Sequence, residues 1–404
     1  MKILMISSTF PYPPTKGGTQ VRTFNLLKYL SQRHPITVVT QRTPDVTDEE
    51  VEGLRQCVDR LQVFPRPQPD GATGGAIGKV GRFGKFLLQG TPPGVLSAYS
   101  RALQSWIDEA VGDGTCEAIT CEHSVNEIYV RPEWKQRFKT VVNVHSSVYG
   151  TCKQQLETGT AEKPLRDRIN LPLLYRYERQ YCSKFDRIVA TTPEDSVQLQ
   201  EFNPDARIEV IPNGVDFGEF PCRTADPGGH HLTFIGAMDN IANIDAARFL
   251  TLEVLPEIQR RYPDSSLSLV GARPVPEVSE LADRPGVNVT GRVPSMAEYL
   301  HQATVCVIPM RTGFGIKNKT LEAMAAGVPV VASDRGLEGL AVDGEGVPLR
   351  ALRANRVDEY VAAITRLFED AELRGQLAEN GRSLVETEYT WERAGRRYEQ
   401  ILIG

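Results

Sequence analysis

The sequence predicts an α/β protein built as two doubly wound parallel-sheet domains, and three observations lead there. The chain has 404 residues, beyond the size at which a single hydrophobic core keeps growing. Short β-rich apolar runs alternate with helix-period segments from end to end, as in parallel sheets assembled from βαβ units. That alternation stops once, in "PNGVDFGEFPCRTADPGGHH" (212–231), a Gly- and Pro-rich stretch that reads as a connector.

Before the connector, "KILMIS", "PITVVTQ", "TVVNVHS", "DRIVATT" and "IEVIPN" read as strands. Between the first two, Val21, Phe24, Leu27 and Leu30 share one stripe of a helix over Thr19 to Arg33. Pro193, Glu194 and Asp195 mark a helix start, with proline in the first turn and acids facing the positive end of the dipole. The interval 66–97 is poorly periodic and reads as a loop or surface helix. After the connector come strand "LTFIGA", a helix from about Asn243, strands "SLSLVGA" and "VNVTG", and a helix from Ser295. Strand "VCVIPM", a helix from about Thr320 and strand "VPVVAS" complete the series. No repeat of solenoid period is present.

Composition narrows the classes. A formal net charge of -5 argues against a general nucleic-acid binder, which needs a basic face. No apolar run approaches the ~20 residues that span a bilayer. The opening "MKILMISSTF" turns polar too soon for a signal peptide and reads as a first strand. Seven cysteines without a Cys-x-x-Cys pair indicate neither a zinc site nor a disulfide framework, and a reducing cytoplasm is the expected compartment. No strand leads into Gly-x-Gly-x-x-Gly, which disfavours a hydride-transferring dehydrogenase.

The stretch "TGFGIKNKTLEAMAAGVPVV" (312–331) carries the chemistry. It follows a buried-strand run and precedes an Ala-rich helix, so its loop lies at the carboxyl end of a parallel strand, where open α/β sheets bind ligands. Gly327 is placed to end the helix, and Pro329 to keep it from continuing. Gly313 and Gly315 permit close backbone approach, and free amides at the helix start attract an anion. Lys317 and Lys319 supply mobile ammonium groups suited to phosphate. Glu322, read in the first turn, can accept two hydrogen bonds from a sugar diol. The same pattern also fits an acid that merely complements the helix dipole beside two solvated lysines.

"GIKNKTLEAMAAGVPVVAS" resembles the donor-nucleotide motif of retaining glycosyltransferases of the two-domain GT-B type, family 4. "STFPYPPTKGGTQVRTFNLLKYLSQRH", "IEVIPNGVD", "LTFIGAMDNIANIDAARFL", "LVGARP", "VNVTGRVPSMAEYLHQATVCVIP" and the terminal "YTWERAGRRYEQIL" resemble further family segments in the family's order. The likeness is weakest over 45–115. It implies two Rossmann-like domains facing a cleft, 1–215 on the acceptor side and 216–385 on the donor side. It also implies a final segment, 386–404, whose helix crosses back to the first domain. Two departures stand out. Thr312 occupies a position where the family carries an acid, with a loop two residues longer before Glu322. The basic pair expected after the second domain's first strand is missing from "GAMDNIAN".

The resemblance implies transfer of a sugar from a nucleoside diphosphate sugar, with retention, to a glycan, lipid-linked or small-molecule acceptor. It places Lys319, Glu322 and His145 in catalytic positions. Gly17, Gly18, Gly236, Gly313, Gly315, Ile316, Lys317, Thr320 and Leu321 fall at donor-binding positions, while Asn243 could make a secondary donor contact and Arg292 could stack on the base. On local chemistry alone, Asn243 is a helix cap, Arg292 an exposed arginine, Gly17 and Gly18 an ordinary turn, and His145 a strand-end histidine. His123 reads as structural and His230-His231 as solvated connector.

No Asp-x-Asp run stands in a suitable loop, so no metal or other cofactor is expected. Lys79, Arg82 and Lys85 beside Phe83, Phe86, Leu87 and Leu88 suggest peripheral contact with the inner membrane face, or simply a wet charged surface. A nucleotide-sugar epimerase and a non-catalytic nucleotide-sugar binding protein are the alternative readings.

Overall fold

A computed structural model describes residues 1–14, 17–67, 86 and 90–404. The basic segment 79–85 and Leu87 and Leu88 therefore lie outside the described residues. The chain divides into two compact units, Met1–Pro212 with Ala394–Gly404, and Asn213–Arg393.

The first unit is organised on seven strands: β1 (Ile3–Ser7), β2 (Ile36–Arg42), β3 (Arg60–Pro65), β4 (Ala118–Glu122), β5 (Lys139–Asn143), β6 (Arg187–Ala190) and β7 (Ile208–Val210). Their order is β3-β2-β1-β4-β5-β6-β7, and every pairing is parallel. β1 reads "ILMIS" and is buried throughout, because helices cover both faces of such a sheet. Ile3 pairs with Ile36 on one side and Ala118 on the other. Strand order reverses between β1 and β4, which opens a ligand crevice at their carboxyl ends.

Two of these strands escaped the sequence reading. β3, "RLQVFP", is an edge strand with exposed ends. β4, "AITCE", is short and closes on a buried acid. The predicted first helix spans Gly18–Ser31. Pro193 does open a helix, Pro193–Phe202, capped by Thr192, whose hydroxyl accepts from Asp195 N at 3.1 Å.

The C-terminal helix, Trp391–Ile403, gives most of its length to this first unit. A Cβ at Gly395 would stand 2.2 Å from the Tyr29 ring, so only glycine fits that approach. His34 Nε2 lies 2.8 Å from Glu399 Oε1, and Tyr398 is fully buried.

The second unit carries β8 (His231–Ile235), β9 (Ser266–Val270), β10 (Val287–Val289), β11 (Val305–Ile308), β12 (Val330–Ala332) and β13 (Leu352–Arg353). The order is β10-β9-β8-β11-β12-β13, again parallel, with its reversal between β8 and β11. β13 has only two residues and is defined by pairing with β12, which no sequence pattern announces.

The stretch read as a connector is built into this second unit. Val215 and Phe220 belong to its core, and Arg223 donates to the Ala303 carbonyl at 2.8 Å. His231 opens β8 and meets Ser266 Oγ at 2.7 Å, while His230 pairs with Asp264. The expectation of two solvated histidines is corrected accordingly.

Candidate functional site

β11 delivers the chain to the loop 309–317, and helix Asn318–Ala325 follows. This helix ends as predicted. Gly327 has φ +70, its amide donates to Met324 O and that of Val328 to Ala323 O, the paired bonds of a glycine-terminated helix. At the other end Thr320 N and Leu321 N donate to Lys317 O at 2.9 and 3.4 Å, which leaves Asn318 N and Lys319 N as the amides without a carbonyl from the helix. The loop itself needs glycine, with φ +117 at Gly313 and +77 at Gly315. Arg311 anchors its start by an ion pair to Asp245, and Asn318 Oδ1 accepts from Asn213 at 2.7 Å.

Lys319, the second helical residue, reaches across the strand-order reversal to Asn243, its Nζ 3.1 Å from Oδ1. Gly236, just beyond β8, makes room for that reach. A Cβ there would lie 2.8 Å from Asn243 Nδ2 and 3.3 Å from Lys319 Cε. Asn243 is not the helix cap that the sequence suggested. Asn240 caps helix Ile241–Phe249 by accepting from Ala242 N. This frees the Asn243 amide to hold the Ala237 carbonyl at 2.8 Å and accept from Lys319.

Glu322 is also corrected. The helix begins at Asn318, so Glu322 lies in the second turn, and the first turn holds no acid. It stands one turn from Lys319 on the same face. Burial pushes its carboxyl up to about 7 against the pull of the Lys319 ammonium, and the Glu219 carboxylate adds to the rise. Burial lowers the Lys319 ammonium in turn, with Glu322 opposing. The two are half-buried, opposite charges held at the mouth of one strand.

Lys317 differs from expectation. Its side chain is 7% exposed, and its ammonium donates to the carbonyls of Gly313 and Gly315 and lies 3.5 Å from Glu338 Oε2. Glu338 is itself paired with Arg335. Lys317 thus braces the loop from within, and Lys319 is the ammonium placed beside the helix start. Thr320 donates to Gly336 O at 2.7 Å, and Leu321 and Ile316 are core side chains. These three shape the loop through packing. Arg292 is exposed, one residue past Gly291.

In the first unit, Gly17 precedes helix Gly18–Ser31 in extended backbone, and a Cβ at Gly17 would meet nothing within 4 Å. His145 follows β5 by two residues instead of ending the strand. Its side chain is 7% exposed, and neither ring nitrogen has a hydrogen-bond partner among the described residues. Burial holds the ring neutral, with His123 and Arg22 adding to the effect. Glu122 Oε2 stands 3.9 Å from His145 Nε2, and the His123 ring is 5.3 Å away. His123 Nδ1 accepts from Val125 N at 3.3 Å, and its Nε2 lies 3.2 Å from Ser146 Oγ.

The sequence reading missed the network beneath His145. Arg22 Nε donates to Asn143 Oδ1 at 2.9 Å, and Asn143 Nδ2 to Glu122 Oε2 at 3.0 Å. Tyr398 completes it with a 2.7 Å bond to Glu122 Oε1. The available signal was a glutamate closing an otherwise apolar strand, since fully buried acids are almost always paired. Among the described residues no group of three His, Cys, Asp or Glu side chains is placed to hold a metal ion.

Two parallel doubly wound units in series, with a glycine loop and helix start at the second reversal, are the architecture of GT-B glycosyltransferases. The chain superposes on sucrose-phosphate synthase from Thermosynechococcus elongatus with TM-score 0.69 and 20% identity, over 99% of this chain and 98% of that one. It superposes on Anabaena HepE, solved with UDP and glucose, with TM-score 0.65 and 14% identity over 100% of both chains. A family model described as Glycosyltransferase Family 4 matches residues 16–219, and one described as Glycosyl transferases group 1 matches 229–370. The chain belongs to glycosyltransferase family 4.

Similar curated proteins include a GDP-mannose-dependent alpha-(1-6)-phosphatidylinositol monomannoside mannosyltransferase of Mycolicibacterium smegmatis, 28% identical over 50% of this chain and 58% of that protein. A D-inositol 3-phosphate glycosyltransferase of Rhodococcus erythropolis is 31% identical over 50% of this chain and 52% of its own. The matches thus span little more than half the length of these relatives.

Proposed function

We propose that this protein transfers a sugar, with retention and without a metal, from a nucleoside diphosphate donor to a glycan, lipid-linked or small-molecule acceptor. One observation carries the reading: the Lys319–Asn243 bond at the β8/β11 reversal, with Glu322 one turn along the same helix. Lys319 and the helix-start amides meet the diphosphate, and the ionised Glu322 accepts from a donor diol. In the reaction the donor C1–O bond breaks, its electron pair passing to the diphosphate. The acceptor oxygen bonds C1 on the same face, and its proton passes to a donor phosphate oxygen. Fixed positive groups at the leaving charge supply the stabilisation that a metal gives in other enzymes.

The resemblance to retaining family members is what supports retention. The donor class is supported by the GDP-mannose dependence in the name of the Mycolicibacterium relative and the UDP in the HepE complex. No described helix is long and apolar enough to cross a membrane. A cytoplasmic protein that works at the inner membrane face is the accompanying proposal.

The test is incubation with UDP- and GDP-sugars, with and without a lipid extract, in EDTA, followed by product analysis. The expected result is free nucleotide together with a glycoside, lost in Lys319→Ala. An altered free sugar without acceptor would indicate epimerisation. Binding without turnover would indicate a sensor, and activity restored only by added metal would overturn the metal-free step.

A further inference from the structure

Helix Pro164–Cys182 segregates its charges. Its two acids, Asp167 and Glu178, are 8% and 0% exposed. Glu178 is committed inward, accepting from Ser147 Oγ at 2.7 Å and Tyr149 N at 3.0 Å. Its arginines Arg166, Arg168, Arg176 and Arg179 are all exposed, and Lys163 just before it is exposed as well. Arg166 pairs with Asp167, whereas Arg168, Arg176 and Arg179 have no ion pair among the described residues. On this cationic surface stand two aliphatic side chains, Leu165 at 77% and Ile169 at 63% exposed. Helical spacing puts Leu165, Ile169, Pro172 and Arg176 on one stripe, with Arg168 and Arg179 along one side and Arg166 along the other.

This pattern stands out in a chain of net charge -5. Leu165 and Ile169 protrude, so they do not form a pocket that would select a shaped protein ligand. Protruding aliphatics framed by guanidiniums suit a soft interface with phosphates above and hydrocarbon below.

We propose that the outer face of helix Pro164–Cys182 docks on an anionic lipid surface, its arginines on headgroup phosphates and Leu165 and Ile169 in the headgroup–acyl boundary. The proposal gives a specific surface to the membrane contact suggested above, and vesicle binding tests it without any sugar transfer.

The experiment is flotation of the full chain with phosphatidylcholine vesicles, and with vesicles that also contain phosphatidylglycerol. The protein is expected to float only with the anionic vesicles, and to sink at high salt as screening removes the attraction. Each cation near such a surface is worth roughly fivefold in partitioning. Arg168→Gln with Arg176→Gln should therefore weaken binding by about 25-fold. Leu165→Asp with Ile169→Asp should abolish it. Both pairs are exposed, so an unchanged Tm will show that the fold is intact. Wild-type protein left at the bottom with anionic vesicles would overturn the proposal. So would variants that float like wild type, or selective binding to polyglutamate in place of vesicles.

Discussion

The Tyr398 hydroxyl donates a 2.7 Å hydrogen bond to Oε1 of Glu122, joining the C-terminal helix to the last residue of β4. The two residues are 276 positions apart, and both are fully buried. Burial pushes the Glu122 carboxyl above its ordinary range, while Tyr398, Asn143 and Arg22 pull it back.

Tyr398→Phe should therefore destabilise the first unit by about 1–3 kcal/mol, the usual cost of leaving a buried acceptor short of a donor. Without the hydroxyl the folded-state pKa of Glu122 rises further above its unfolded value. That raises the cost at pH values above the carboxyl range and relieves it below, where the group is protonated in both states. Urea denaturation at pH 8 and pH 4 will show the larger loss at pH 8. Equal losses would mean that the bond is not to a carboxylate.

Glu322 predicts a pH dependence of donor binding. Its carboxyl sits at about 7 in the free protein, and only the ionised form accepts both hydrogen bonds of a diol. A raised folded-state pKa also means that the free protein loses stability as pH rises from about 4.5 to 7. Binding runs the other way. The Kd for UDP-glucose or GDP-mannose, whichever binds, should weaken about tenfold between pH 8 and pH 6. Nucleotide sugars lack a terminal phosphate that titrates in this window, so the slope will report the protein. Glu322→Gln should bind weakly at both values with the slope gone. A wild-type Kd flat across the range would return Glu322 to a structural role.

Lys317 and Glu338 distinguish a loop brace from a phosphate ligand. If Lys317 holds the loop, Glu338→Gln will cost about 1–3 kcal/mol, because a buried ammonium loses its counter-ion. The same change will weaken nucleotide binding indirectly. Lys317→Met, which removes the buried charge altogether, will be milder in both respects. Calorimetric titration with UDP and GDP checks the ranking. Abolished binding in Lys317→Met with normal binding in Glu338→Gln would make Lys317 the phosphate ligand after all.

Much of this protein is written locally. Buried strands such as "ILMIS" and "VCVI" are apolar because both faces of a parallel sheet are covered, and that pattern needs no partner to be read. The glycine pair, the helix that ends at Gly327 and the carboxylate one turn beyond Lys319 also follow from neighbours in sequence.

Tertiary structure decided what depends on partners far along the chain. β13 exists through its pairing with β12, and β4 is recognisable once β1 and β5 flank it. The same sequence rules allow Lys317 to be a solvated ammonium or a buried brace, and Glu338, 21 residues on, selects the brace. Asn240 took the cap and left Asn243 for Lys319. The reason is physical. Backbone periodicity is set over one or two helical turns, whereas desolvation and pairing of a charge depend on what the completed fold brings within a few ångströms.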